Sequence, residues 1–227
     1  MTTNSLKVEG GRTKLIVPHK DKELVFLHPK YGPNTYANIG AEIERDGLAR
    51  PTMAETASLV YGAFNSDDNY YSKEIKKIMK DHLLFGFTGI FYVPGKGAYF
   101  QDNPETRDEK PFMDESELVR KLESNDPTVR HVPFGFKTGS QSPIELARNP
   151  FIIGLAGEDG AGKLGEVADK HRITPYLGSF ESVDNPEIRV SALVSYWHID
   201  HRLYISCNVR GDGKNGYAFG VQETEEK

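Results

Sequence analysis

Cysteine is nearly absent: the chain has one, Cys207, in 227 residues. An intrachain disulfide is therefore excluded, and folding needs no oxidant, as expected for assembly in a cytosol. A catalytic thiol has little support, because Cys207 stands in an alternating apolar row. A strand interior disfavours an exposed thiolate, and a small buried residue is the expected role. Long apolar runs are missing too, so no segment reaches the length of a membrane span. Met1–Leu15 holds no apolar leader core, and the first dozen residues are polar and glycine-rich and read as loose chain. There is no excess of positive charge: the net charge is −5 and the pI near 5.8. That balance argues against a nucleic-acid partner or a basic membrane binder. Hydrophobic residues make up 37%, against 22 glycines and 13 prolines, which points to many loops around one moderate core. Repeats, heptads and low-complexity blocks are also lacking.

What is present is concentrated near the C-terminus, in Val194–Gln222. Leu203, Ile205, Cys207 and Val209 alternate with Arg202, Tyr204, Ser206, Asn208 and Arg210. A strand sends successive side chains to opposite faces, so this predicts one buried apolar row and one outward polar row. Trp197, His198, Asp200 and His201 precede the polar row; Asp212, Lys214, Asn215 and Tyr217 follow it. These residue types suit recognition, since they combine contact area with donors and acceptors. A solvated strand face beside a polar turn is the plainer alternative.

Upstream, Thr13–Val17 and Glu23–Leu27 read as short strands. A helix is predicted over Tyr36–Glu44, capped by Asn34 or Thr35. Thr52-Met-Ala-Glu55 is a capping box that opens a second helix. Ser72–Leu84 reads as a third, with Ile75, Ile78, Met79, His82 and Leu83 in register. Phe87–Val93 and Gly97–Gln101 flank Pro94-Gly95-Lys96 as a hairpin. Short helices follow Asp114 and Ser142, with an irregular stretch, Asn125–Ser140, between them. Phe151–Ala156 reads as a strand and Gly160–Lys170 as a helix. Pro175–Phe180 and Arg189–Tyr196 lead into the C-terminal strands. Helices early and strands late predict an α+β fold with a mixed or antiparallel sheet, flanking helices and long loops.

Gly157-Glu-Asp-Gly-Ala-Gly162-Lys163 resembles a phosphate-binding loop in outline. Leu164 stands where a magnesium-binding hydroxyl belongs, and Glu158 and Asp159 would repel phosphate. A glycine-rich turn into a helix is the expected reading, and no nucleotide cofactor is implied. His198, Asp200, His201 and His171 are metal-ligand types, but strand alternation separates His198 from His201 unless a turn intervenes. Asp102-Asn-Pro-Glu105 and Asp184-Asn-Pro-Glu187 are oxygen-rich, yet Asn-Pro is a plain turn former. No metal site and no catalytic set is predicted from these residues. Gly135–Ser142 is loop-like and able to line a pocket.

Pro51-Thr-Met-Ala-Glu55, opening a helix after Asp46-Gly47-Leu48, resembles an element of C-type-lectin-fold domains of the formylglycine-generating-enzyme type. Gly216-Tyr-Ala-Phe-Gly-Val221 resembles their closing strand. The polar face before it resembles the variable region of proteins diversified by retroelements. Arg50 directly precedes Pro51 here, without the family's intervening Leu. The enzymes of that group use a cysteine pair, so Cys207 alone carries over no catalysis. The calcium signatures of animal lectins are also missing.

The resemblance implies a C-type-lectin-like domain over residues 34–227, preceded by an N-terminal polar segment with short strands over residues 1–33. It implies a binding surface made by Trp197, His198, Asp200, His201, Tyr204, Ser206, Asn208, Arg210, Asp212, Asn215 and Tyr217. The implied partner is a surface protein or glycan, with display on a virion or cell surface compatible with cytosolic folding. No nucleic acid, membrane insertion or cofactor is implied, and a homo-oligomer is compatible. Two rivals remain. One is a hydrolase or transferase with its pocket among Lys137–Ser142 and Gly157–Lys163. The other is an assembly subunit that uses the C-terminal face as an interface.

Overall fold

The computed structural model describes residues 6–9, 12–66, 69–195 and 201–222. Strand β1 (Leu6–Glu9) pairs antiparallel with β2 (Arg12–His19), where loose chain is predicted. β2 turns into the long β3 (Lys22–Asn34), which runs across the boundary at residue 33. Helix α1 (Tyr36–Arg45) starts where Thr35 accepts a bond from the Asn38 N–H. In α2 (Met53–Asn65) both halves of the Thr52–Glu55 capping box are formed. Helix α3 (Tyr70–Asp81) ends sooner than the periodicity predicts. Leu83 and Leu84 instead open strand β4 (Leu83–Val93), in which Leu84 pairs with Leu193 and is buried in the main core.

β4 forms the predicted hairpin with β5 (Gly97–Asp102), turning at Gly95 with φ 68. A two-stranded ribbon, β6 (Glu105–Arg107) and β7 (Lys110–Phe112), precedes α4 (Glu115–Glu123), which Asp114 caps. The stretch expected to be irregular holds β8 (Val129–Val132), paired with β5, and the two-residue β9 (Gly139–Ser140). Helix α5 (Pro143–Ala147) follows the Ser142 cap.

Phe151–Ala156, predicted as a strand, is the first half of helix α6 (Pro150–His171). A short apolar run does not distinguish a buried helix from a strand. Asn149 and Pro150 decide it, by capping the Phe151 N–H and presetting the first turn. Gly154 faces Phe100 and Val132 so closely that a Cβ would lie 2.8 Å from each. The Gly157–Lys163 turn is also helical apart from Gly157, whose φ of 70 and ψ of 169 break the helix. Arg130 donates to the Gly154 and Leu155 carbonyls at 2.9 and 3.3 Å just before that break, and it pairs with Asp102.

The last strands are β10 (Thr174–Gly178), β11 (Glu187–Ser195), β12 (Arg202–Val209) and β13 (Gly216–Gln222). The main sheet has the order β1-β2-β3-β13-β4-β11-β12-β10-β9, with β5 and β8 branching from β4. β13 lies parallel to β4, and β10 parallel to β12, in an otherwise antiparallel sheet. One face carries the main core against α2, α3 and α6, with Leu203, Ile205, Cys207, Phe219 and Leu193 on it. The opposite face is covered by α1, whose Tyr36, Ile39 and Ile43 pack on Phe85, Phe87, Val190, Ala192 and Ala218.

Candidate functional site

The face that α1 covers over β13, β4 and β11 continues onto β12 and β10. There a cleft of about 630 Å³ opens. Its floor follows from strand alternation. Leu203, Ile205 and Cys207 are fully buried on the core side, so Tyr204 and Ser206 point to the other. Tyr204 stands opposite Tyr176 in the parallel β10–β12 pair, and their rings lie 4.6 Å apart at 32°. Arg202 donates to the Tyr204 hydroxyl at 3.1 Å, with its guanidinium 5.3 Å from the Tyr176 ring centre. Gly178, opposite Ser206, leaves the floor low beside Asn208. Val194, Ser179 and Leu83 complete the walls, and Thr138 donates to Glu181 at the rim.

The alternation predicts Val209 in the buried row with Cys207, and the structure corrects this. Val190 pairs with Val209 but Ala192 with Ser206, so β12 carries one more residue than β11 across that interval. Such a bulge shifts every later side chain to the other face. Val209 is half-buried, packs against the α1 cluster and lines the cleft next to exposed Asn208.

Buried tyrosine holds the cleft's wall in place. The Tyr92 hydroxyl donates to the Cys207 carbonyl at 2.9 Å and meets the Ser179 hydroxyl at 2.8 Å. It joins β4 to both cleft strands from beneath. Burial pushes the Tyr92 phenol well above its usual range, so it remains a neutral donor.

Of the residues predicted for the binding surface, Tyr204, Ser206 and Asn208 line the cleft. Arg210, Asp212 and Asn215 are exposed on the β12–β13 loop, whose Asn215 carbonyl accepts the N–H of cleft residue Leu83 at 3.3 Å. His201 is exposed with φ 52 and opens β12. Tyr217 is separated from this group. It faces the core side of β13 with Phe219, meets His82 edge-on at 4.9 Å, and lies 5.5 Å under the Lys30 ammonium. Trp197, His198 and Asp200 lie outside the described residues.

Tyr176, Gly178, Ser179 and Glu181 also line the cleft, and the sequence does not mark them as a surface. Their only signal was the alternation of Thr174, Tyr176 and Gly178, in a run too short to announce a face. Thr138 and Gly139, by contrast, fall in the loop read as able to line a pocket.

The lysine of the phosphate-loop look-alike has a different task. Lys163 donates to the Pro18 carbonyl, the Ser58 hydroxyl and Asp159 at 3.0, 2.9 and 2.7 Å. Ser58 also meets His19 Nδ1 at 2.8 Å. This group fastens the tip of the β2–β3 hairpin to α2 and α6. Burial, then the Lys163 charge, lowers the His19 pKa to about 4. Ser58 and His19 are only 0% and 5% exposed, so a reactant has no route to the pair. His171 is used elsewhere, with Nε2 3.0 Å from the Phe64 carbonyl. Asp102 of the first Asp-Asn-Pro-Glu segment is held by Arg130 and Thr88.

No protein-family model matches the chain, and no curated protein matches its sequence. Among solved structures it is similar to one described as accommodation of massive sequence variation in Nanoarchaeota by the C-type lectin fold. The TM-score is 0.59 at 14% identity, covering 86% of this chain and 97% of that one. The chain has the C-type lectin fold. Within this lectin fold, Gly216–Val221 forms the strand that closes the sheet between β3 and β4, and Thr52–Glu55 caps the helix packed beneath it.

Proposed function

We propose that the protein is a ligand-recognition protein that binds a surface protein or glycan in the β10–β12 cleft. On this reading it belongs with the retroelement-diversified, formylglycine-generating-enzyme-type lectin-fold proteins and acts in receptor recognition. The carrying observation is the division of labour on β12. Leu203, Ile205 and Cys207 anchor the strand at 0% exposure, while Tyr204, Ser206 and Asn208 line an open cleft. Exposed side chains on an anchored backbone change with little effect on stability, which suits a surface that varies. The solved neighbour is described in the same terms of sequence variation on a lectin fold. A catalytic reading gains no support from the Gly157–Lys163 segment, which is helical apart from Gly157 and whose lysine is fully engaged.

The test is a screen of the full chain against surface proteins and glycans, followed by substitution. Tyr204→Ala is expected to weaken the ligand found by about 1–3 kcal/mol, the range of hot-spot truncations. A ligand indifferent to Tyr204→Ala, Asn208→Ala and Arg210→Ala together ends this reading. If the triple variant instead changes mass in solution and leaves binding intact, the face is a subunit interface. Independently, a near-copy of the Tyr196–Tyr217 coding region, differing mainly at adenines, would support diversification.

A further inference from the structure

We propose that the cleft accepts a cationic side chain, a lysine or arginine of a protein partner, with its charged head at Glu181 and its stem across the Tyr176–Tyr204 pair. This rests on the cleft being the recognition site and adds the chemistry it selects. Among the described residues lining the cleft, Glu181 alone carries a formal charge. The Thr138 hydroxyl fixes its Oε1, and among the described residues no donor is bonded to Oε2. Glu181 is exposed, so a partner can reach that oxygen. The Ser206 hydroxyl donates to the Asn208 side-chain oxygen at 3.5 Å, and the lone pairs left on both oxygens are further acceptors in the same cleft.

An ammonium or guanidinium supplies donors to all of these, whereas an anion meets no cation among the described lining residues. Tyrosine faces also attract cations through their quadrupole. Arg202 illustrates this on Tyr176, where its guanidinium is 5.3 Å from the ring centre. Arg202 is opposite Thr174 and its guanidinium reaches the Tyr176–Tyr204 level, whereas Ser206 is opposite Gly178 on the Glu181 side. Two residues along the strand separate those levels, about 7 Å. Among the described residues lining the cleft, none brings a positive charge to the Glu181 end. The chain's net charge of −5 favours the same class of partner at long range.

Gly178 provides a clean way to close the cleft. A Cβ there would find its nearest neighbour, the Ile205 carbonyl oxygen, at 3.7 Å, an ordinary contact, and the backbone is not left-handed. Gly178→Leu should therefore fold and fill the floor between Tyr176 and Asn208. The full chain, labelled with nitrogen-15 glycine, is titrated with acetyl-Gly-Lys-Gly-amide and acetyl-Gly-Arg-Gly-amide at millimolar concentration. Acetyl-Gly-Met-Gly-amide and N-acetyllactosamine are the neutral comparisons. The cationic peptides are expected to shift the Gly178 and Gly139 amides, and Glu181→Gln to weaken them roughly three- to tenfold. Gly178→Leu should abolish the effect while an unchanged melting temperature reports intact folding. Equal shifts from the methionine peptide, indifference to Glu181→Gln, or no shift with any probe overturns the proposal. Neutral glycan binding abolished by Gly178→Leu would overturn it too, yet leave the cleft as the recognition site. A ligand that binds Gly178→Leu as well as the parent would end both readings.

Discussion

Acidification should loosen the hairpin staple around His19, and the size of the effect follows from its surroundings. His19 is 5% exposed at the end of β2, with Nδ1 2.8 Å from the Ser58 hydroxyl. Ser58 Oγ accepts a hydrogen bond from Lys163 at 2.9 Å and donates to the Ala54 carbonyl at 3.3 Å, so the ammonium stands one hydroxyl away from the imidazole and opposes its protonation. Burial is the main reason the pKa falls from 6.5 to about 4. The charges of Lys163, Lys20 and Lys22 act in the same direction, and Asp159 opposes them. The folded pKa is lower than the unfolded one, so the native state binds fewer protons between those values. Stability is fully present above pH 6.5 and is lost as pH falls toward about 4. At 1.36 kcal/mol per unit, the whole interval is worth up to about 3 kcal/mol, and roughly 2–2.5 kcal/mol is gone by about pH 4.5. Urea unfolding at pH 7.5 and 4.5 measures this for the parent and for His19→Gln, which does not titrate. Carboxylates and His171 titrate in both proteins, so the difference between the two acid losses isolates His19. Lys163→Met should shrink the parent's acid loss, because it removes the strongest charge opposing protonation. Equal acid losses in the parent and His19→Gln would refute the reasoning.

Two further outcomes follow from β12. Leu203→Ala should lower unfolding stability by about 2–5 kcal/mol through lost burial and an unfilled cavity, and Tyr204→Ala by clearly less; similar losses in denaturant titration would mean that the two faces are not divided as described. Cys207 is 0% exposed and burial pushes its thiol well above the usual range, so a thiol reagent should label it only after denaturant is added. Prompt stoichiometric labelling of the native chain would contradict that burial.

The frame of the fold was legible where the signal is local. The Thr52–Glu55 capping box, the Pro94–Lys96 turn and the Leu203–Cys207 alternation each hold their information within a few residues, and each is found in the structure. Most of the readings that differ from the structure depend on partners distant in sequence. Phe151–Ala156 starts as a helix on local signals, the Asn149 cap and Pro150, but its apolar run is buried on both sides, with Gly154 against Phe100 and Val132, and so hides the helical period. Val209 changes face because β12 has one more residue than β11, a mismatch that neither strand reveals alone. Tyr176 joins Tyr204 only through a parallel pairing reached by way of β11 and its flanking loops. Parallel strands need long connections, so nothing in the neighbourhood of Tyr176 announces its partner.

The cleft owes its existence to what β10 and α1 leave open. α1 places Tyr36, Ile39 and Ile43 over β13, β4 and β11, and its cluster ends with Val209 packed at its margin. Beyond that margin β10 offers Tyr176 and then Gly178, one tall side chain and one absent one on the same face. Glycine there weakens the strand, since it packs nothing and is costly to order. Tyr92 offsets that weakness from the core side by bonding Ser179 and the Cys207 carbonyl at 2.8 and 2.9 Å. The buried side of the sheet thus fixes the backbone at the two strands whose outer side is hollow. Side chains on that outer side can then change without moving the frame, which is the physical requirement for a recognition surface on this fold.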